Sequence, residues 1–377
     1  MNSIKIIKFF LPHGIIIYKK IILTKILSFY YYFKVKSFHI RENTALLIEF
    51  YTFHGEILPG LIKYLFDLGY NVDIIFSKSN NKDRNARNDA GLFSCFNGDE
   101  RLRTITLSNY GKNTLLRSSK ISYYRNIIIG TFNDGTIRNE LYNIDLFKLK
   151  PVCMVHDFYV IHNYINTNKI VTLVKMEYPN RKPHLIVNAH YFGKYQKRAK
   201  SKKTVFITLN SNNLFNRNLY LLFKACDTLY QNGINNFSVK IIGQGIAVPE
   251  RFLDNFQVFG FLDYPNMFKE TADSDFFLAL IDQASIQYTN KASGSYQLSY
   301  GFLKPIVLHR KYSCVSGFND KNSILYNDND DLSEAMIKCI NMPDNDYSLL
   351  VNELEISEKE LYTRSLNNLK EALEASI

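Results

Sequence analysis

The sequence has no tryptophan and few cysteines or prolines: its 377 residues include five Cys and nine Pro. No two cysteines form a C-x-x-C pair, and their odd number and wide spacing argue against a zinc ribbon and against a disulfide scaffold. We expect buried free thiols, as is usual in a reducing compartment such as the cytoplasm. The five residues are Cys95, Cys153, Cys226, Cys314 and Cys339.

Acidic residues are absent from positions 1–41, a stretch that carries eight Lys or Arg residues. The rest of the chain is nearly balanced, with 38 basic and 35 acidic residues. A protein that wraps nucleic acid would show a basic stripe in its body, so we expect no nucleic-acid partner. Positive charge mixed with apolar residues at one end is instead typical of contact with an anionic membrane surface.

Long uninterrupted hydrophobic runs are also missing. The most apolar segment, residues 4–33, is divided by five lysines and contains Pro12 and Gly14, whereas a membrane span needs about 20 apolar residues with few charges. No small-residue cleavage site follows this segment, which argues against a secretory signal. Two interpretations remain: a helix lying in the membrane interface, or a helix packed on the body with solvated lysines. The first predicts a cytoplasmic protein held peripherally on the inner face of the cytoplasmic membrane.

What the sequence does contain is a repeated strand–helix alternation. Residues 45–50 predict a strand, 57–67 a helix and 72–76 a second strand, which is the pattern of a parallel sheet. The alternation restarts after a basic stretch at 194–203, which we interpret as an interdomain linker. Because one hydrophobic core rarely serves so long a chain, we predict two doubly wound α/β domains. The predicted units are a basic apolar segment at 1–41, domains at 42–195 and 204–346, and a C-terminal helix at 347–377.

The sharpest motif is the stretch YTNKASGSYQLSYGFLKPIV at 288–307, in which a polar loop leads into a helix at Gly294. Free backbone N–H groups at a helix start, with Gly allowing close approach, form an anion site. Lys291 adds a full positive charge, and Ser293 and Ser295 flank the glycine. The alternative is an ordinary Ser N-cap followed by a core helix.

Two further segments of the second half suit a phosphate-bearing ligand. The turn IIGQG places Gly243, Gln244 and Gly245 directly after a strand, but no G-x-G-x-x-G follows, so a nicotinamide or flavin site is not indicated. Arg217 stands at a predicted helix entrance, where its guanidinium can fork onto phosphate oxygens. The alternative for Arg217 is a solvated surface side chain.

In the first half, acid–base groups follow two predicted strands. His54 and Glu56 come after the first strand, and His156 and Asp157 after the strand at 152–155. Ligands of parallel sheets bind beyond the carboxyl ends of the strands, so all four are candidate catalytic residues, although each alone is more often structural. The Asp-x-Asp pattern at 273–275 precedes a strand and therefore lies at the wrong end of the sheet, so we expect no metal.

Taken in order, these elements resemble the donor domain of GT-B type glycosyltransferases from Thr204 to about Ile340, and the first half resembles the acceptor domain more loosely. The resemblance implies a GT-B fold: two Rossmann-like domains facing across a cleft, with a long C-terminal helix. It implies that Arg217 and Lys291 neutralise a nucleotide-sugar diphosphate, which the backbone at 293–295 cradles, while residues 243–245 line the donor pocket. Many retaining members carry two Glu where this chain has Asn290 and Leu298, and Gln297 is a candidate substitute for the ribose contact.

The overall pattern is similar to that of bacterial lipopolysaccharide, lipooligosaccharide or capsule transferases. It implies an enzyme that moves a sugar from a nucleotide-sugar donor to a growing glycan or glycolipid, without a metal and with no cofactor beyond that co-substrate. The absent Glu pair leaves open an alternative, a catalytically inactive nucleotide-sugar or glycan-binding protein of the same fold. Retention or inversion of stereochemistry also stays open. His54, Glu56, His156 or Asp157 would act as base in an inverting reaction and orient the acceptor in a retaining one.

Overall fold

The computed structural model of the chain describes three helical positions near the N-terminus and ten longer segments. The helical positions are Ile26, Tyr30 and Phe33. The segments are 38–49, 55–77, 91–107, 114–132, 150–156, 169–176, 184–195, 197–210, 217–243 and 246–375, the last two being separated by two positions only. Within these residues no helix is both long enough and apolar enough to cross a membrane.

The first half folds around a parallel sheet of seven strands in the order β3-β2-β1-β4-β5-β6-β7. The inner strand β1 reads TALLIE and is buried along its whole length, as expected for a strand covered on both faces. The strands are β1 (Thr44–Glu49), β2 (Asn71–Ser77), β3 (Leu102–Leu107), β4 (Asn126–Ile129), β5 (Val152–Val155), β6 (Ile170–Thr172) and β7 (Leu185–Ile186).

The second half contains a parallel sheet of six strands in the order β10-β9-β8-β11-β12-β13. The order reverses between β8 and β11, and such a reversal opens a crevice beyond the carboxyl ends of the strands. The strands are β8 (Thr204–Leu209), β9 (Phe237–Ile242), β10 (Phe256–Phe259), β11 (Phe276–Leu278), β12 (Ile306–His309) and β13 (Ile324–Tyr326).

Helices cover the sheets and begin where the sequence supplies capping groups. Asn218 accepts a hydrogen bond from the Leu221 amide at the start of α2, and Asp263 does the same for α3 through the Asn266 amide. The described helices are α1 (Leu58–Asp67), α2 (Leu219–Gln231), α3 (Tyr264–Ala272), α4 (Gly294–Phe302), α5 (Ser313–Ser316), α6 (Leu332–Ile340) and α7 (Asp344–Glu374). Short 3-10 turns at Gly55–Ile57 and Gln287–Thr289 precede α1 and α4.

The long helix α7 joins the two halves. Near its start the Tyr347 hydroxyl donates to the carbonyl of Asp275 in the second half at 3.2 Å. Near its end the Asn368 amide donates to the carbonyl of Ile186 in the first half at 2.8 Å. Because α7 has 31 residues, its length of about 46 Å is enough to span both sheets.

The basic stretch between the sheets is tied down by its charged side chains. Lys200 donates to the carbonyls of Ile340 and Met342 at 2.7 and 3.0 Å, which caps the carboxyl end of α6. Asp275 accepts from the amides of Ser201 and Val205. The carboxylates of the Asp-x-Asp pattern therefore serve this connection at the amino end of the sheet, as the sequence predicts.

Some expectations about elements and thiols require correction. The sequence pattern did not predict β3, β6, β7 or β13, because these strands are short or lie in polar surroundings. The five cysteines are free, but the thiols are not all buried: Cys314 is exposed and Cys95 is half-buried.

Candidate active site

The candidate site lies between the two sheets, at the amino end of α4. The Ala292 amide donates to the carbonyl of His156 at 3.4 Å, which joins the loop before α4 to the carboxyl end of β5. Glu56 approaches from the turn before α1, and its Oε1 lies 3.8 Å from where a Cβ on Gly294 would stand. The loops that follow strands of both sheets therefore converge on the first turn of α4.

Arg217 points into this first turn and is not solvated, because only 8% of its surface is exposed. Its Nη2 donates to the hydroxyl oxygens of Ser293 and Ser295 at 2.8 and 3.0 Å. Its Nη1 donates to the Tyr288 hydroxyl at 3.3 Å. The structure therefore brings together Arg217, Ser293 and Ser295 as the anion-site interpretation requires.

The two serine hydroxyls have protons available for a ligand. Both oxygens accept from Arg217, which has no lone pair to return a bond, and Ser293 also accepts from the Ser295 amide at 3.3 Å. Ser293 and Ser295 are 3% and 0% exposed. Neither hydroxyl donates to an acceptor among the residues that the structure describes. Buried donors need partners, so this arrangement suits a ligand that only accepts hydrogen bonds.

Lys291 lies beside the same cluster. Its Nζ is 5.7 Å from the centroid of the Tyr288 ring, and the Arg217 guanidinium carbon is 5.6 Å from that centroid. Two cations and the amino end of α4, where backbone N–H groups carry partial positive charge, thus meet around one aromatic ring. The result is a positively charged, half-enclosed surface.

Arg217 is held in place through its neighbour Asn218. The Asn218 amide N–H donates to the Leu280 carbonyl at 3.0 Å, and its side chain donates to Asp282 at 2.6 Å. Leu280 has a φ of 49°, a left-handed conformation that is costly for a leucine and is often found at functional sites. Burial alone would raise the pKa of Asp282, but hydrogen bonds from Ala284, Asn218 and Asn329 hold that pKa below its usual value.

The acid–base candidates of the first half are placed in part. Glu56 lies beside the amino end of α4 and the His156 carbonyl contacts the loop before it, whereas His54 and Asp157 lie outside the described residues. The His156 Nε2 lies 2.9 Å from the Gly130 carbonyl, and a carbonyl only accepts, so this nitrogen carries a proton. In the neutral ring Nδ1 is then the basic nitrogen.

The donor-pocket residues of the second half are also placed in part. Gly243 directly follows β9 with a φ of 147°, and a Cβ there would stand 2.3 Å from the Asn210 carbonyl oxygen. Gln244 and Gly245 lie outside the described residues. Gln297 is 1% exposed, and its Nε2 has no hydrogen-bond partner among the described residues.

Three residues near the site were missed in the sequence. Tyr288 begins the motif but carried no predicted role, because a tyrosine in a loop gives no signal of its own. Asp282 follows an apolar strand, and this position could have indicated a functional residue. Glu49 ends β1 fully buried and accepts from Thr131 at 2.9 Å, and a carboxylate closing an apolar strand was a usable signal.

Among the described residues no group of His, Cys, Asp and Glu has the arrangement of a metal site.

Comparison with known proteins identifies the fold. No protein-family model matches the sequence, and no curated protein matches it. Solved structures do match over most of the chain. TarM of S. aureus, crystallised as a mutant with fondaparinux, α-GlcNAc-glycerol and UDP, gives a TM-score of 0.62 at 10% identity, covering 88% of this chain and 100% of that one.

Two other structures agree. Anabaena HepE in complex with UDP and glucose gives a TM-score of 0.54 at 9% identity, covering 88% of this chain and 99% of that one. AviGT4, a glycosyltransferase of avilamycin A biosynthesis, gives 0.55 at 10% identity, with coverage of 88% and 98%. The two parallel sheets and these similarities confirm the GT-B fold that the sequence predicts.

Proposed function

We propose that this chain, which has the GT-B fold, is a glycosyltransferase that moves a sugar from a nucleotide-sugar donor to a cell-surface glycan. The observation that carries the proposal is the pair of buried serine hydroxyls at the amino end of α4. Both accept from Arg217 and keep their protons for an acceptor-only ligand. A diphosphate is such a ligand, and solved structures of this fold contain UDP.

The proposed reaction is attack by an acceptor hydroxyl on the anomeric carbon of the donor. Negative charge develops on the leaving diphosphate, and preorganised donors aimed at that charge stabilise the transition state. Arg217, Lys291, the two serines and the backbone at Gly294 supply those donors. We propose that the reaction needs no metal, since the Asp-x-Asp carboxylates lie at the other end of the sheet.

The first half contributes the acceptor side of the cleft in this proposal. Glu56 lies beside Gly294 of the donor site, and His156 adjoins the same site through its backbone carbonyl, which accepts from Ala292. If the reaction inverts, Glu56 or His156 would act as the base. If the reaction retains, these two residues would orient the acceptor. Gln297 would supply its side-chain amide to the donor.

A lipid-linked acceptor would account for the basic, apolar N-terminal segment. Ile26, Tyr30 and Phe33 are helical and 58%, 56% and 50% exposed, and spacings of four and three residues place them on one helix face. We propose that this face lies on an anionic membrane surface, and that the acceptor is a lipopolysaccharide, lipooligosaccharide or capsule precursor. The protein would then work in the cytoplasm, on the inner face of the membrane.

The donor assignment is tested with nucleotides and a serine variant. Thermal shift against UDP-, GDP-, CMP- and ADP-sugars should show stabilisation by at least one, through mass action. The double variant S293A/S295A should bind the corresponding nucleoside diphosphate about 10- to 100-fold more weakly, because two charge-assisted bonds are lost. S299A is the matched control, a buried serine of the same helix that donates to Lys304. Equal affinity in S293A/S295A and S299A would refute the site.

The alternative function, a binding protein without turnover, is favoured by one observation. Leu298 is 1% exposed and stands where many retaining relatives of this fold carry a glutamate. A hydrolysis assay separates the two functions. The stabilising nucleotide sugar is incubated with the protein, and the release of its nucleoside diphosphate is measured over time. Release above the uncatalysed rate supports an enzyme, and tight binding with no release supports the binding protein.

Membrane contact is tested on the whole chain with liposomes. The triple variant I26S/Y30S/F33S should lose most sedimentation with vesicles of phosphatidylglycerol and phosphatidylethanolamine. The control L349S/I356S removes two exposed apolar side chains of α7, which are 63% and 51% exposed, and should sediment like the wild type. Equal sedimentation of both variants would contradict the proposal.

A further inference from the structure

Tyr288 occupies the centre of the charged cluster and has no role in the function proposed so far. The ring is 4% exposed. Arg217 and Lys291 lie 5.6 and 5.7 Å from its centroid, which is within the range of cation–π attraction. The Tyr288 hydroxyl also accepts from Arg217 Nη1 at 3.3 Å.

The position of Tyr288 is itself fixed from behind. Its ring meets that of Tyr312 edge-on, with centroids 6.4 Å apart. The Tyr312 hydroxyl lies 2.5 and 2.7 Å from the carbonyls of Asp282 and Ser285, so this buried residue holds the loop that leads to Tyr288. The loop that carries the Tyr288 ring is therefore held by Tyr312, and the orientation of the ring does not depend on the two cations.

The position of the ring offsets the repulsion between the two cations. Arg217 and Lys291 repel each other, and burial of Arg217 weakens the screening of that repulsion by water. The negative face of an aromatic ring attracts both cations without binding them as a carboxylate would. A carboxylate in the same place would compete with an incoming phosphate, whereas a ring does not.

The hydroxyl adds orientation to this attraction. With Nη1 bound to Tyr288 and Nη2 bound to Ser293 and Ser295, the plane of the guanidinium is fixed at both ends. Groups held in place before the ligand arrives save the entropy of ordering them on binding.

We propose that Tyr288 is a positioning residue that holds Arg217 and Lys291 ready for the second phosphate of the donor. The inference rests on the proposed function, because it assigns the residue to the diphosphate site. It predicts that Tyr288 contributes to the affinity gained when a nucleoside monophosphate is extended to the diphosphate. It predicts little contribution to binding of the nucleoside itself.

The test compares UDP with UMP, and GDP with GMP, by calorimetric titration of the full chain. In the wild type the diphosphate of one pair should bind at least 10-fold more tightly than its monophosphate. Y288L and Y288M remove the ring and should reduce that ratio by about 10-fold. Y288F keeps the ring and loses one long hydrogen bond, so it should reduce the ratio by about threefold at most and restore most of the wild-type behaviour.

The controls distinguish positioning from folding. Tyr230 is a matched tyrosine that stacks on Phe252 and hydrogen bonds to Asn255 away from the site, so Y230L should lower the melting temperature and leave the ratio unchanged. An unchanged ratio in whichever ring-less variant folds, or a loss of about 10-fold in Y288F, which keeps the ring, overturns the inference. A wild type that binds none of the four nucleotides overturns the proposed function instead.

Discussion

At the scale of single residues, the account depends on where two cationic side chains sit. The sequence allowed Arg217 to be a solvated surface residue. Its burial against Ser293 and Ser295 excludes that alternative. Sequence could place Arg217 at a helix entrance because Asn218 is a good N-cap. It could not show that the side chain reaches residues about 75 positions later, because that contact depends on the order of strands in the sheet.

The fork of Arg217 gives a first prediction. R217K keeps the charge and loses the planar donor pair, so the Kd of the bound nucleoside diphosphate should rise about 10- to 100-fold. R251K is the matched control, since Arg251 makes a two-pronged ion pair with Asp227 on the surface. Titration of both variants decides the point. A lysine at 217 that binds as well as arginine would show that bidentate geometry is not used.

Lys291 gives a second prediction at the same scale. Its side chain contacts the Tyr288 ring from a half-buried loop position, so K291A should lower diphosphate affinity about 10-fold and change the melting temperature little. Thermal unfolding and nucleotide titration of the same samples measure both quantities. A large loss of thermal stability with unaltered affinity would count against the assignment.

A buried lysine outside the site predicts a dependence of stability on pH. Lys304 is 3% exposed, and burial lowers its pKa to about 8 despite attraction from Asp275. The unfolded chain keeps this proton until about pH 10.4, so between pH 8 and that value the unfolded state binds more protons and stability rises with pH.

K304M should remove this rise and be more stable than the wild type below pH 8. The expected difference between the two pH profiles is on the order of 3 kcal/mol. Urea unfolding of both proteins at several pH values measures it. Parallel profiles for wild type and K304M would show that the Lys304 proton is not linked to folding.

At the scale of elements, local patterns predicted much of the fold. The strand at 152–155 has the predicted bounds and the helix at 294–302 begins at the predicted residue, because apolar runs and N-cap chemistry act locally. β6, β7 and β13 have two or three residues, too few to show a period. Their strand conformation comes from pairing with neighbours in the sheet, which no local pattern records.

The turn after β9 predicts a cost of substitution at Gly243. G243A places a Cβ 2.3 Å from the Asn210 carbonyl oxygen at a φ of 147°, so it should destabilise the protein by roughly 3 kcal/mol. G233A is the control, with a φ of 69° and no atom within 4 Å, and should cost about 1 kcal/mol. Equal free energies of unfolding for the two variants would contradict the close approach.

At the scale of the whole molecule, the two halves are coupled through α4 and α7. Gly301 of α4 packs against the first half, since a Cβ there would lie 2.2 Å from the His190 carbonyl oxygen. His190 Nε2 lies 2.9 Å from Glu358 of α7. The sequence predicted two domains and a cleft. It could not predict this close contact, because the residues that meet there are far apart in the sequence and come together only in the folded chain.

This coupling predicts the cooperativity of unfolding. G301V should weaken the contact between the halves, lower the melting temperature and split calorimetric unfolding into two transitions. G260V is the control, because no atom lies within 4 Å of a Cβ at Gly260. A single unshifted transition in G301V would mean that the halves do not stabilise each other there.

The central claim, that a donor diphosphate binds at the amino end of α4, is tested most directly by a crystal structure with the best-binding nucleoside diphosphate. The account predicts phosphate oxygens within hydrogen-bond distance of the Ser293 and Ser295 hydroxyls, with Arg217 still bound to both. A diphosphate bound elsewhere, with those hydroxyls turned away from it, would contradict the account.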